Sequence, residues 1–138
     1  MSAPPDRRLF LKSLPAVAAT LVARPGIAFA HGVTAKHPAP RPGITAAKVL
    51  GKEQLEGDAE AIRIFDQVRE IPHIVDGIHC YCGCAEIPDF YSLLSCYESD
   101  GMARYCDVCK GEGKLAYELH KAGKTLEQIR AGIDAKFG

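Results

Sequence analysis

The stretch Cys80-Tyr81-Cys82-Gly83-Cys84 carries three cysteines at alternate positions. Three more cysteines follow, at Cys96, Cys106 and Cys109, so all six fall within thirty residues of a 138-residue chain. Cysteines that only fill an apolar core would be spread among several elements. Clustered thiols at these short spacings instead indicate disulfides, a metal site or thiol redox chemistry.

Helical patterns flank the cysteine stretch on both sides. Before it, apolar residues recur at helical spacing from Asp58 to Ile71, where Pro72 is expected to end the helix. After it, a helix is predicted from just beyond Pro88 to about Tyr97, with Cys96 at the edge of its apolar stripe. No run alternates between apolar and polar residues as a half-buried strand would.

Two further helices are predicted toward the C-terminus. One covers Arg104 or Tyr105 to His120, with Gly111 and Gly113 marking a break or a close backbone approach. The last opens with Thr125 and carries Gln128 three residues later, which is a capping box. Residues 58–138 are therefore predicted to form an all-α domain, a small bundle of about four helices around a cysteine-rich loop.

The first thirty residues resemble a twin-arginine export signal. Arg7-Arg8-Leu9-Phe10-Leu11-Lys12 precedes a modest apolar run, and Ala28-Phe29-Ala30 matches a signal-peptidase site. The run is too short for the roughly 20 residues that cross a bilayer, and no later segment is apolar enough, so no membrane span is expected in the mature form. The expected partners are the twin-arginine translocase and signal peptidase, and the expected location is the periplasm or the cell exterior.

Residues 31–57 are predicted to be a flexible tether rich in proline. The stretch 37–43 has three prolines, and proline lacks the amide hydrogen that helices and central strands need. Such a segment is expected to stay solvated between the signal and the helical domain.

The charge balance excludes one functional class. The chain has 17 basic and 17 acidic residues, of which residues 1–30 hold four and one respectively. The mature chain therefore has 13 basic and 16 acidic residues and a net charge of −3. Binding to nucleic acid through phosphate neutralisation is not expected from such a surface.

The spacing of the cysteines suits a soft metal ion. In extended backbone the side chains of Cys80, Cys82 and Cys84 share one face, and Gly83 lets the loop curl to bring them closer. Cys106 and Cys109 are three residues apart and share a helix face. The adjacent imidazole of His79 is the best nitrogen candidate. The predicted ligands of copper(I) or zinc are thus a set of seven residues: Cys80, Cys82, Cys84, Cys96, Cys106, Cys109 and His79.

Two other uses of the thiols stay open. Six cysteines in a small exported domain allow fifteen disulfide pairings, which would give a stapled structural or interaction domain. The pair Cys106 and Cys109 has the C-x-x-C spacing of thiol–disulfide oxidoreductases, although the usual βαβ context is missing. No other catalytic constellation is evident, so apart from thiol redox activity an enzyme is not predicted.

From Asp58 to Gly138 the chain resembles the bacterial exported proteins named for a PCYCGC motif. The matching residues are 80–84, Cys96, the run 106–109, and the closing stretches 123–130 and 133–134. The resemblance implies a small exported domain, and many of its members are lipoproteins. His79 stands where that motif has proline, and the histidines expected near the CGC run and the C-x-x-C are absent. A metal site here is therefore expected to be more purely thiolate.

These observations together predict an exported metal-binding protein. Storage, delivery or detoxification of copper(I), or of zinc, outside the cytoplasm is the expected role. A metal-trafficking protein is among the expected partners.

Overall fold

The computed structural model describes residues 36–98 and 101–138. Four α-helices lie within these ranges: α1 (Ala59–Glu70), α2 (Pro72–Val75), α3 (Asp107–Lys121) and α4 (Leu126–Phe137). Three short 3-10 turns occupy Lys52–Gln54, Cys84–Glu86 and Leu93–Tyr97. The described ranges contain no β-strand, and the prediction of an all-α bundle with a cysteine-rich loop is confirmed. The predicted export signal lies outside the described residues.

Helix α1 forms where its pattern predicted. Asp58 caps it, because its carboxylate accepts the backbone N–H groups of Glu60 and Ala61 at 3.0 Å. Its apolar face buries Phe65 and Val68 against the rest of the domain. Pro72 then opens the single turn of α2, where its fixed φ angle and missing amide hydrogen are tolerated.

Helix α3 is the central element of the bundle and contacts α1, α2, α4 and the Leu93–Tyr97 turn. It runs without a break through Gly111 and Gly113, and both glycines permit a close approach. A Cβ atom on Gly113 would overlap the hydroxyl of Tyr97, and one on Gly111 would lie 3.0 Å from the ring of Phe137. The sequence predicted either a break in the helix or a close backbone approach at these glycines, and the structure shows the close approach.

The helix predicted between Pro88 and Tyr97 is wrong over its first half. The hydroxyl of Ser95 accepts the backbone N–H groups of Tyr91 and Ser92, at 3.1 and 3.4 Å, which satisfies them outside a helix. The chain becomes helical only at Leu93, as a 3-10 turn whose side chains are all buried.

Helix α4 follows the predicted capping box. The side chain of Thr125 accepts the N–H of Gln128 at 3.3 Å, and the side chain of Gln128 accepts the N–H of Thr125 at 3.0 Å. Its buried residues, Ile129 and Ile133, complete the core on the far side of α3. The described helices include none that is long and apolar enough to cross a bilayer.

Residues 36–57 are packed on the domain, which differs from the predicted flexible tether. Val49, Leu50 and Leu55 are buried in the core. Arg41 forms an ion pair at 2.7 Å with Asp76, a carboxylate that is fully buried. The prolines exclude regular structure between residues 38 and 42, but an irregular chain can still bury apolar side chains, and residues 44–55 supply them.

Candidate metal centre

The cysteine loop brings its three sulfurs into direct contact. The Sγ atoms of Cys80 and Cys82 are 3.1 Å apart, and those of Cys82 and Cys84 are 2.7 Å apart. Gly83 makes this possible with a φ angle of +89°, a left-handed conformation that glycine adopts without steric cost. The chain then enters the Cys84–Glu86 turn.

Two further cysteines reach the same place from other elements. Cys96 comes from the Leu93–Tyr97 turn and Cys109 from the first turns of α3. The Sγ atoms of Cys80 and Cys109 are 3.6 Å apart. Altogether five sulfur atoms lie within 4.8 Å of one another, those of Cys80, Cys82, Cys84, Cys96 and Cys109, and this cluster could hold a metal ion. We call these five residues the thiol cluster.

The separations suit thiolate coordination. Four sulfurs placed tetrahedrally at about 2.3 Å from one zinc ion stand roughly 3.8 Å apart. The observed distances of 2.7 to 3.6 Å, with an upper limit of 4.8 Å, bracket that value. All six cysteines of the chain are free thiols in this structure.

The cluster is shielded from water except at one member. Cys80, Cys84, Cys96 and Cys109 are buried, whereas Cys82 is partly exposed. Tyr97 holds the rear of the site, because its hydroxyl donates to the backbone carbonyl of Cys109 at 2.6 Å. The thiols are thus fixed by three separate segments that are packed in one core.

A buried carboxylate adjoins the cluster. Glu112 is fully buried in α3, and its Oε1 accepts the backbone N–H of Tyr81 at 2.8 Å. Its Oε2 lies 3.2 Å from the sulfur of Cys80. Burial, followed by the charge of Cys80, raises the pKa of Glu112 to about 9. The sequence held a signal for this residue, since Cys109 and Glu112 are three apart on one helix, but that signal was missed.

The pKa values of the cluster thiols are shifted in opposite directions. Hydrogen bonds from Cys109 and Cys96 lower the pKa of Cys80 well below the usual thiol value, against the opposing effect of burial. Hydrogen bonding to Cys80 and Cys96 raises the pKa of Cys109, and burial raises that of Cys82. One thiolate is therefore favoured, and further negative charges in the same low-dielectric site are not. A bound cation would supply the missing compensation.

Two predicted ligands are not members of the thiol cluster. Cys106 is the N-cap of α3, and its sulfur accepts the N–H of Cys109 at 3.5 Å. The ring of His79 stacks edge-on against that of Tyr81, with 5.1 Å between centroids. The backbone N–H of His79 donates to Nδ1 of His37 at 3.0 Å. Sequence spacing alone could not separate Cys106 from Cys109.

A thioether contacts the thiol cluster. The sequence-based prediction of the ligands did not include it. The Sδ atom of Met102 lies 3.3 Å from the sulfur of Cys84. Apart from Met1, it is the only methionine in the chain, and it precedes the C-x-x-C pair by four residues. This position in the sequence was sufficient to predict that its sulfur is a soft donor near the thiols.

Comparison with family models, with curated proteins and with solved structures found no match.

Proposed function

We propose that this protein binds copper(I) through the thiol cluster, for storage, delivery or detoxification outside the cytoplasm. The observation that carries the proposal is the convergence of five sulfurs within 4.8 Å, from three segments of the chain. Membership of the PCYCGC-motif proteins is part of the same proposal and is supported by residues 80–84, Cys96 and 106–109.

The donor set favours copper(I) over zinc. A structural zinc ion is satisfied by four ligands, whereas five thiols converge here and a thioether touches one of them. Thiolates bind both metals, but zinc sites in proteins use cysteine, histidine and carboxylate ligands, whereas a thioether is a soft donor that suits copper(I). Five thiolates around monovalent ions can be shared as bridging ligands, so more than one copper(I) ion is expected per chain.

Charge compensation supports the same assignment. Each thiol that binds copper(I) loses its proton, and each ion brings one positive charge. Several monovalent ions can therefore balance several buried thiolates one by one, without leaving the uncompensated charge that burial penalises.

The decisive experiment measures metal and thiols together. The protein is purified without oxygen, titrated with a copper(I)–bicinchoninate complex, and examined by native mass spectrometry with a thiol count. We expect more than one copper(I) per chain and six reduced cysteines. A thermal midpoint that falls when a copper(I) chelator is added supports the proposal. Metal-free protein with six oxidised cysteines, whose midpoint responds only to reductant, contradicts it and supports disulfide staples.

Export is the second part of the proposal, and it rests on residues 1–30. An Arg7→Lys/Arg8→Lys variant is expected to remain in the cytoplasm, while the parent chain is recovered from the periplasm or the medium. Cell fractionation with an antibody to the helical domain measures this. Equal export of both chains would contradict the twin-arginine route.

One observation favours a second candidate function, thiol–disulfide exchange. Cys106 is partly exposed at the N-terminus of α3, three residues before Cys109, which is the placement and spacing of a C-x-x-C exchange pair. In such a reaction the Cys106 thiolate attacks a substrate disulfide, and Cys109 then displaces the reduced product while forming a bond to Cys106. Cys109, however, is buried in the thiol cluster. Failure of the reduced protein to reduce a model disulfide at neutral pH would exclude this function.

A further inference from the structure

We propose that Met102 is the sulfur ligand through which copper(I) enters and leaves the thiol cluster. This inference rests on the proposed function and names the route by which the ion exchanges. The geometry that supports it is a continuous row of three sulfurs, from Cys82 through Cys84 to Met102, with spacings of 2.7 and 3.3 Å.

Exposure distinguishes Met102 from the sulfur that it touches. The side chain of Cys84 is 1% exposed, whereas Met102 is 43% exposed. Met102 thus has one side in water and its sulfur against a buried member of the cluster. An ion held at this thioether is within reach of Cys84 without any movement of the core.

The chemistry of a thioether suits exchange better than storage. It is neutral and soft, so it accepts copper(I) and is a poor ligand for zinc. It carries no charge that burial would have to compensate, and it binds without releasing a proton. An exposed neutral donor beside buried thiolates therefore offers a weaker first site from which the ion passes inward, with its oxidation state unchanged.

The backbone holds Met102 in place. Gly101 is packed so closely on the carbonyl of Cys96 that a Cβ atom there would overlap it. The N–H of Ala103 donates to the same carbonyl at 2.9 Å, and the N–H of Tyr105 donates to the carbonyl of Met102 at 2.9 Å. The turn that carries the thioether is thus anchored to a cluster residue on both sides.

Room for a donor exists beside this turn. A surface cavity of about 290 Å³ is lined by Gly101, Met102, Arg104, Tyr105 and Cys106. A water molecule occupies roughly 30 Å³ of liquid, so the cavity admits a small thiol, a chelator arm or a side chain of a copper carrier. Cys106 is partly exposed on the wall of this cavity, which gives the arriving ion a second sulfur outside the cluster.

The test compares Met102→Leu with Ile87→Leu. Leucine keeps the size of methionine and removes the sulfur, and Ile87 has the same 43% exposure in a position that lines no part of the cavity. Each protein is loaded with copper(I) without oxygen, and the rate of transfer to bathocuproine disulfonate is followed by absorbance. We expect Met102→Leu to slow transfer about 10-fold or more. Zinc uptake by Met102→Leu is expected to equal that of the parent, because zinc takes no thioether ligand, and Ile87→Leu is expected to behave as the parent in both measurements.

A second measurement needs no substitution. Met1 falls in the predicted signal, so selenomethionine labels the processed chain at Met102 alone, and a retained Met1 would only dilute the signal. X-ray absorption at the selenium edge is expected to show a copper neighbour after partial loading. An unchanged transfer rate in Met102→Leu, or no copper neighbour at selenium, overturns the role of Met102 while the copper proposal stands. A parent protein that takes up no copper(I) overturns both.

Discussion

The carboxylate of Glu112 lies 3.2 Å from the sulfur of Cys80, which is 32 residues earlier in the chain. The same carboxylate accepts the N–H of Tyr81, so one side chain of α3 holds the first two residues of the cysteine loop. Glu112 is fully buried, so water cannot replace these contacts.

Replacing Glu112 is therefore expected to loosen the loop. Glu112→Ala removes the acceptor of the Tyr81 N–H and leaves a cavity, which should lower the free energy of unfolding by about 2–4 kcal/mol. Glu112→Gln keeps an acceptor oxygen and should cost less. Urea unfolding of the reduced, metal-free protein measures both, with the exposed Glu118→Ala in the same helix as control. Equal stability of the alanine variants at 112 and 118 would contradict this role.

Cys82 belongs to the thiol cluster and Cys106 does not, so replacing each of them should affect copper binding differently. Cys82→Ser removes a member of the thiol cluster and should lower the copper count or the affinity. Cys106→Ser removes a thiol that is not a member, and serine is itself a good N-cap, so the copper count and the stability of α3 should be retained. Native mass spectrometry after copper(I) loading compares them. An equal loss in both variants would mean that Cys106 is a ligand, as its spacing from Cys109 first suggested.

The two glycines of α3 provide a matched pair. Alanine favours a helix over glycine by about 1 kcal/mol at each position. At Gly111 a new methyl group lies 3.0 Å from the partly exposed ring of Phe137, which can shift, so the net effect should be small. At Gly113 it would overlap the hydroxyl of Tyr97, and overpacking of this kind costs about 1–3 kcal/mol.

Thermal unfolding of the two alanine variants tests this difference. Gly113→Ala should also disturb the hydrogen bond from Tyr97 to the carbonyl of Cys109, and hence copper binding. A Gly113→Ala protein as stable as Gly111→Ala would show that Tyr97 moves aside freely.

The buried carboxylate of Asp76 predicts acid sensitivity. Burial raises its pKa, but hydrogen bonds from the side chain and backbone of Arg41 and from Ser92 outweigh burial, so the pKa lies below the usual 3.8. The folded state thus binds fewer protons at Asp76 than the unfolded state does. This stabilisation is fully present above the unfolded pKa of about 4 and is lost as the pH falls through the folded value.

Asp76→Asn should remove that dependence. It should lower stability at pH 7 by about 2 kcal/mol, less than for a fully buried pair, because the side chain of Arg41 is 39% exposed. The stability of the variant should fall less steeply than that of the parent between pH 5 and pH 3. Chemical unfolding at a series of pH values measures both slopes, and parallel slopes would contradict the assignment.

Local patterns were sufficient for α1 and α4, whereas α3 begins at Asp107 and not at the predicted Arg104 or Tyr105, and the single turn of α2 was not predicted. Helix α1 has its cap at Asp58 and α4 has its capping box at Thr125, and both begin where those residues predict. The loop between Ile87 and Ser92 was not predictable in the same way. Its departure from a helix depends on the hydroxyl of Ser95, whose hydrogen bonds compete with helix formation, and on the N–H of Leu93, which donates to the carbonyl of Ile78 at 2.8 Å. A contact between distant segments has no periodic signature.

The sequence predicted a site made of cysteine thiols, but it did not predict which side chains form it. Spacing indicated that Cys80, Cys82 and Cys84 would share a face, and the structure brings their sulfurs together. Whether Cys106 or Cys109 joins them depends on which is the cap and which is the first inward residue of α3. Glu112 and Met102 belong to residue types with many uses, so only the three-dimensional contact with a sulfur reveals their relation to the cluster.

The packed segment 36–57 decides how the protein has to be prepared. Consider a shortened chain that begins at Asp58, the start of the first predicted helix. Its core would lack the buried side chains of Leu50 and Leu55, and the carboxylate of Asp76 would lack its ion pair with Arg41. It would also lose His37, which holds the backbone of His79 directly before the first cysteine. Copper measured on such a fragment would report a damaged loop, so the binding experiments require a chain that includes residues 36–57.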